Sequence, residues 1–410
     1  MSTQINILQI NGYESPGKRF HGLGISKKLQ NYGINSSHFV WHKDTDDQLV
    51  LTCNSKIKRV INSGISAIEN YFSLQSVLYS NFSSIKNTQQ FMDADLIHLH
   101  IIHSGFFKLS DLIELSRIKP TVWTLHDPWA LTGHCVYPID CERWRIGCGN
   151  CPDLKTPFAL KKDNTRMLFE YKNRVYKNSN IDLIVASEWM KNKVMNSPLF
   201  DDKQNKITKI PFGVDLEFFS KSHRKTARRK FNIADDAIVI TFRGGLNNTF
   251  KGVPYILEAL NSLSPNSNIF ILSINCYEEL NGKLKFPHLD LGWVNDEELM
   301  RDFTVASDIF LMPSIAEAFG VMAIEAMASS VPVIVFEGTS LPEVVFSPEV
   351  GIAVPARDWK ALGVAIQQLI DDPIERKRRG SDGRKLAELH YDETNFINNL
   401  ADYYMQKVKK

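Results

Sequence analysis

Short apolar runs alternate with amphipathic stretches along most of this chain, and that alternation restricts the fold more than any other feature. INILQI, DLIHLHII, TVWTLH and IDLIVAS read as buried strands, and IVITFRG, IFILSI, DIFLMPS and PVIVF form a second series. Between them lie GISKKLQNYG, VPYILEALNSL and GVMAIEAMASS, whose apolar residues recur at helical spacing. Strands covered on both faces read as continuous apolar runs, and parallel neighbours need a crossover helix. The pattern therefore predicts parallel sheets with helices on both faces. The strand series restarts near residue 236, after the turn-rich IPFGVDLEFF, which predicts two Rossmann-like halves joined near residues 211–220. A chain of 410 residues is long enough to bury two such cores.

Charge and hydropathy exclude several classes. A net charge of +2 provides no field for steering nucleic acid. MSTQINILQIN reads as a first strand and not as a signal peptide. No apolar run reaches the roughly 18 residues that would mark a spanning helix. The expectation is a cytoplasmic protein that is free to lie on the inner face of a membrane. Residues 43–92, which include KIKRVINSGISAIENYFSLQSVLYSNF, interrupt the first half. They read either as inserted surface helices or as an amphipathic surface that docks on a membrane or a lipid-linked substrate. The basic, aromatic-laced KKDNTRMLFEYKNRVYK admits the same two readings.

The densest chemistry lies in EAFGVMAIE. Glu317 falls at or just before a predicted helix start and Glu325 falls two turns inside, roughly 12 Å further along the axis. That exceeds the ~5–5.5 Å separation of two carboxylates sharing one glycosidic bond in a retaining glycosidase. The pair suits a long ligand gripped at two points. Between them, Ala318, Phe319, Gly320 and Val321 supply backbone N–H groups at a helix N-terminus, where phosphate binds well. ITFRGGLNNTFKGVPYILEAL reads as strand, glycine-rich loop and helix, with Arg243 and Lys251 on the loop. Two cations at a strand end can neutralise a diphosphate leaving group.

In the first half, Gly22 and Gly24 follow the first strand without a third glycine in register. His126, beside Asp127, ends another strand and reads either as an acid/base group or as a histidine satisfied by nearby backbone. Asp93-Ala94-Asp95 precedes a buried strand on the side away from the strands' carboxyl ends. It reads as structural, so no catalytic divalent metal is expected.

GWVNDEELMRDFTVASDIFLMPSIAEAFGVMAIEAMASSVPVIVFEGTSLPEVV closely resembles the donor-binding region of glycosyltransferase family 4. The shared features are Gly292-Trp293-Val294, the pair Glu317 and Glu325, and Pro342-Glu343-Val344. The resemblance covers most of residues 205–395 and extends more weakly into the first half. It implies an α/β GT-B fold, two Rossmann-like doubly wound domains facing a central cleft. Residues 1–212 would form the acceptor-side domain, 213–390 the nucleotide-sugar domain, and a C-terminal helix at 391–410 would return to the first.

Carried over by motif, Glu317 would touch the transferred sugar and Glu325 the ribose hydroxyls. The backbone of Phe319, Gly320 and Val321 would meet the phosphates, and Val294 would lie near the base. Arg243 and Lys251 would bind the pyrophosphate, although the stretch between them is longer than is usual in that family. Gly22 and Gly24 would face donor phosphates and acceptor, and His126 would lie near the donor sugar. The implied reaction is retaining transfer of a hexose or related sugar from a UDP- or GDP-sugar to a hydroxyl of a glycan acceptor, lipid-linked in one reading. The rivals are a GT-B nucleotide-sugar epimerase, a glycogen- or sucrose-type synthase, and a non-catalytic nucleotide-binding scaffold.

Cys135, Cys141, Cys148 and Cys151 cluster in a loop rich in Gly, Pro and Trp, with His134 adjacent. Their spacing admits a structural zinc site, reduced thiols or disulfides. The passage around them also resembles a family 4 subgroup that builds bacterial colanic acid, capsule and O-antigen units.

Overall fold

The apolar runs of the first half lie side by side in one parallel sheet. The computed structural model describes residues 4–14, 22–155, 158–245, 249–264 and 268–409. The strands are β1 (Ile5–Tyr13), β2 (Ile34–His42), β3 (Val50–Leu51), β4 (Leu96–Leu99), β5 (Thr121–Thr124), β6 (Ile181–Val185) and β7 (Ile207–Lys209). Their order is β3-β2-β1-β4-β5-β6-β7. Ile7 pairs with Ser36 on one side and with Leu96 on the other. The winding reverses between β1 and β4, and in open α/β sheets the crevice for ligands lies at such a reversal, beyond the carboxyl ends of the strands. β4 and β5 are buried throughout. Trp123, Trp129 and Tyr176 join the same core.

GISKKLQNYG is not one helix. It forms a 3-10 turn (Leu23–Ile25), a four-residue helix (Ser26–Leu29) and a second 3-10 turn (Gln30–Tyr32) that ends at Gly33. The insertion after β3 carries a regular helix, α1 (Lys56–Phe72), whose N-cap Ser55 accepts from the Lys58 N–H.

The second half repeats the plan. β8 (Ile238–Arg243), β9 (Ile269–Ile274), β10 (His288–Asp290), β11 (Ile309–Met312), β12 (Val333–Phe336) and β13 (Ile352–Val354) form a parallel sheet in the order β10-β9-β8-β11-β12-β13. Here the reversal lies between β8 and β11, where Phe242 pairs with Leu311. Two helices start at this end of the sheet, α2 (Val253–Ser262) and α3 (Val321–Ala328). By contact, the chain separates into two compact units, Met1–Ile210 with Ile397–Lys410, and Pro211–Phe396.

The last helix, α4 (Glu393–Val408), contributes its residues from Ile397 onward to the first unit. Tyr404 is fully buried there, its hydroxyl 2.5 Å from His98 Nδ1, while His98 Nε2 lies 2.7 Å from Thr124 Oγ1. Lys407 pairs with Asp182 at 2.9 Å. Complete burial, with a minor contribution from His126, lowers the His98 pKa from 6.5 to about 3. Between these two values the unfolded chain binds a proton that the folded chain refuses. Stability is therefore intact above pH 6.5 and falls as the pH drops towards 3, by about 1.4 kcal/mol per unit. Thermal melts from pH 7.5 to 5 are expected to fall more steeply for the native protein than for His98→Gln. Equal slopes would mean that His98 is not the group responsible.

Candidate functional site

Each sheet brings its site residues to the carboxyl ends of its strands. In the second unit, Arg243 is the last residue of β8, and the chain after β11 runs through Pro313 and Ser314 to Glu317. Of the glycine-rich loop after β8, residues 246–248 lie outside the described residues. Gly252 closes that loop with φ +75°, and a Cβ built on it would lie 2.1 Å from the Pro313 carbonyl oxygen. Only glycine permits this approach. It places the start of α2 against the end of β11, where the Ile315 N–H donates to Phe250 O at 2.9 Å. As a result Lys251 Nζ donates to Glu317 Oε2 at 2.9 Å across 66 residues of sequence. Both side chains remain reachable from solvent, at 34% and 16% exposure.

The start of α3 completes this corner. Gly320 precedes it with φ +98°, and a Cβ there would lie 2.4 Å from Leu341 Cδ2. Among the described residues no side chain caps the first turn of α3. Its leading N–H groups point out of the helix with the positive end of its dipole. The helix begins at Val321, so Glu317 sits in the preceding loop, where its carbonyl oxygen accepts from Ser340 Oγ at 3.3 Å. Glu325 lies one turn inside α3 and is fully buried. The ring of Phe319 is 5% exposed and packs edge-on against Phe212 and Tyr391, which leaves its backbone as the part facing the corner.

On the other side of β8, Arg243 lies over the Trp293 ring at 5.4 Å and its Nη1 lies 3.6 Å from Met322 Sδ. Val294 is buried, while Trp293 is 49% exposed. The turn before them is held by Asp290, whose carboxylate accepts from Gly292 N–H, Cys276 N–H and Ser273 Oγ. Sequence reasoning placed Trp293 in a motif but missed its contact with Arg243. A tryptophan between Gly292 and Val294 was the available signal. Two cations, a carboxylate and an open helix start at a winding reversal form a site suited to a polyanion carrying a hydroxyl-rich group.

In the first unit, Gly22 sits so close to the Gln9 amide that a Cβ would lie 2.2 Å from it, while Gly24 is exposed in the turn that follows. Residues 15–21 of that stretch lie outside the described residues. Gln9 Oε1 lies 2.7 Å from His100 Nε2, and His100 Nδ1 lies 2.9 Å from His126 Nε2. The Gln9 amide nitrogen donates to Ser36 Oγ, which leaves Oε1 as an acceptor. With both rings neutral, His100 then carries its proton on Nε2 and His126 donates from its own Nε2. The Gln9–His100 link spans 91 residues, and sequence spacing gave no signal of it.

His103 Nε2 pairs with Asp127 Oδ2 at 2.9 Å. Burial tends to raise the Asp127 pKa, but His103 and the Trp129 N–H outweigh it and hold the carboxyl below its ordinary value. The acidic pair Asp93 and Asp95 is absorbed locally, since Asp95 accepts from the Asn6 N–H and Asp93 from Gln89.

The four clustered cysteines are free thiols. Gly133 N–H donates to Cys148 Sγ at 3.2 Å, and Cys151 Sγ donates to Asp153 O at 3.1 Å. Burial pushes the Cys135 thiol up to about 12 and the Cys148 thiol up to about 11. Beneath them, Lys172 is fully buried under Trp129, donates to Trp129 O and Thr132 O, and is lowered by burial to about 7. Among the described residues, no three or more His, Cys, Asp or Glu side chains are grouped to hold a metal ion.

A family model described as glycosyl transferases group 1 matches residues 223–386, under half of the chain. Those residues contain Arg243, Lys251, Glu317 and Glu325. The capsular polysaccharide biosynthesis glycosyltransferase CapM of Staphylococcus aureus is 28% identical over 240 residues, which is 56% of this chain and 62% of that protein. The chain thus spans less than two thirds of that relative's length. Among solved structures, sucrose-phosphate synthase from Thermosynechococcus elongatus superposes with a TM-score of 0.69 over 98% of each chain at 18% identity. HepE from Anabaena in complex with UDP-glucose superposes with a TM-score of 0.66, covering 98% of this chain and 100% of that one, at 14% identity. These likenesses establish the fold as the GT-B type, built of two Rossmann-like units.

Proposed function

We propose that the chain is a retaining glycosyltransferase of bacterial surface polysaccharide synthesis, moving a sugar from a nucleoside-diphosphate sugar to a hydroxyl of a growing, lipid-linked glycan. One observation carries the reading: Lys251 and Glu317 meet at the winding reversal between β8 and β11, beside the open start of α3. Supporting it are the family-model match over those residues, the relative named for capsular polysaccharide, and the solved relative holding UDP-glucose.

In this reading the donor diphosphate draws Lys251 away from Glu317 and takes Arg243 and the N–H groups around Gly320 and Val321. Glu317 then turns to the sugar hydroxyls, Glu325 to the ribose, and Val294 packs near the base. The bond from the anomeric carbon to the phosphate oxygen breaks, and the acceptor oxygen bonds to the same face of that carbon. The departing phosphate oxygen takes the acceptor's proton. Stabilising the charge that develops on this leaving group is the principal catalytic task of the two cations. Within the first unit, His126 is held in orientation by His100 and Gln9. The chemistry calls for no divalent metal.

A thermal-shift screen of UDP- and GDP-sugars tests the donor class. A ligand at about 100 times its Kd stabilises the folded state by about 2.7 kcal/mol, a shift of several degrees. At least one nucleotide sugar is expected to produce it, and the same compound should then be consumed only when an acceptor is present. No response from any nucleotide sugar would overturn the donor assignment. Conversion of the sugar to its epimer without acceptor would replace transfer with epimerisation.

A further inference from the structure

Helix α1 is turned inside out relative to an ordinary surface helix. Six of its apolar residues, Ile57, Val60, Ile61, Ile68, Tyr71 and Phe72, share one face about 120° wide at 100° per residue, with the half-buried Ile65 at its edge. Every one of the six is exposed, from 48% at Ile68 to 73% at Ile57 and Val60. The opposite, polar face is the one packed on the protein. Asn62 donates to Gly105 O at 2.6 Å and accepts from Asn81. Ser66 meets the Tyr79 hydroxyl at 3.1 Å. Glu69 is buried and accepts from the N–H groups of Ser76, Val77 and Leu78. These bonds fix the helix in this orientation, so the apolar face is not available to the core.

Charge indicates what covers that face. Glu69 is the only acidic residue of α1 and it points inwards, while Lys56 is exposed beside the stripe. At the C-terminal end, Lys161 Nζ lies 5.6 Å from the Tyr71 ring, and the Lys161 and Lys162 N–H groups donate to Ser73 Oγ. The neighbouring Asp163 directs its carboxylate to Cys151 and Thr165. An exposed apolar stripe edged by cations is the pattern of a helix lying in the plane of an anionic membrane surface.

We infer that the outward face of α1, with Lys161 and Lys162, docks this protein on an anionic lipid bilayer. At 17 residues the helix is about 25 Å long and lies on the surface, and among the described residues no helix is long and apolar enough to cross. A pocket of about 630 Å³ opens beside its C-terminal half, lined by Glu69, Asn70, Tyr79, His103, Phe158 and Lys161 among others. Docking would set this pocket at the lipid headgroups, within reach of a lipid-linked acceptor, a link that rests on the proposed transfer reaction; docking itself is measured without turnover.

The test is co-sedimentation of the full chain with vesicles of phosphatidylcholine containing about one third phosphatidylglycerol. The native protein is expected to bind them, to release as salt rises, and to bind pure phosphatidylcholine vesicles at least about tenfold more weakly. Ile61→Asp combined with Phe72→Asp is expected to reduce binding at least about tenfold with an unchanged circular dichroism spectrum. Lys161→Glu combined with Lys162→Glu is expected to reduce it similarly, and this second variant decides the matter if the first does not fold. The inference fails if the native protein ignores the anionic vesicles, or if folded variants bind as well as the native protein. It also fails if the native protein forms a dimer that the Ile61→Asp, Phe72→Asp variant loses, since a second copy would then be what covers the face. Donor binding in the thermal-shift screen is unaffected by any of these outcomes, so the two proposals fail separately.

Discussion

Lys251→Ala is expected to lower sugar transfer by about 10²–10³-fold, within the range for removing one charge-stabilising group from a transition state. The side chain lies at the reversal of strand order and pairs with Glu317. At 34% exposure it contributes little to folding, because pairs this exposed are worth at most about 1 kcal/mol. The melting temperature should therefore stay within a few degrees while kcat falls, and this separates a catalytic loss from a folding loss. Lys251→Arg keeps the charge but spreads it over a planar fork, so partial recovery is expected. Steady-state rates with the donor found by thermal shift are the measurement. Unchanged kcat/KM in Lys251→Ala would remove Lys251 from the site and with it the observation on which the proposed function stands.

The second large effect falls next door. Gly252→Ala is expected to destabilise the protein by about 3 kcal/mol or more, through a strained backbone and a forced shift of packed main chain. The added methyl would lie 2.1 Å from the Pro313 carbonyl oxygen, a backbone atom that no rotamer change can move aside. For a unit of this size that corresponds to a fall in melting temperature of about 6–12 °C. Gly282→Ala is the control. Gly282 has nearly the same positive φ, +71°, but nothing within 4 Å of the added methyl, so its cost should be near 1 kcal/mol. Equal losses in the two variants would show that the approach of α2 to β11 is not what Gly252 secures. Transfer should also fall in Gly252→Ala, because the residue before it carries the Lys251 charge.

How much of this was legible beforehand can be followed through particular residues. The strand runs INILQI, IVITFR and IFLM announced themselves because a strand covered on both faces has no polar alternation to preserve. Each such run forms a strand of the sheet. Lys251, Gly252, Glu317 and Gly320 were visible as loop residues at strand ends, because glycine and charge at a strand-to-helix junction have few local explanations. GISKKLQNYG misled, since its spacing suited one helix while Gly22, two residues before it, and Gly33 at its end left room only for short turns. Trp293 showed only as part of a three-residue motif. Its value as a platform for Arg243 depends on β8 and the β10 turn being brought side by side.

The sequence by itself determined two parallel α/β halves and the strand ends that carry the charged residues. Periodicity and turn chemistry are local properties, and short stretches carry them whole. The tertiary structure decided which distant groups meet: Lys251 with Glu317 across 66 residues, and His100 with Gln9 across 91. It also decided which way α1 faces. An amphipathic pattern fixes that a helix has two unlike faces but not which one turns inward. In α1 the answer came from Gly105, Tyr79 and the N–H groups of residues 76–78, whose hydrogen bonds hold the polar face down and leave the apolar face outward.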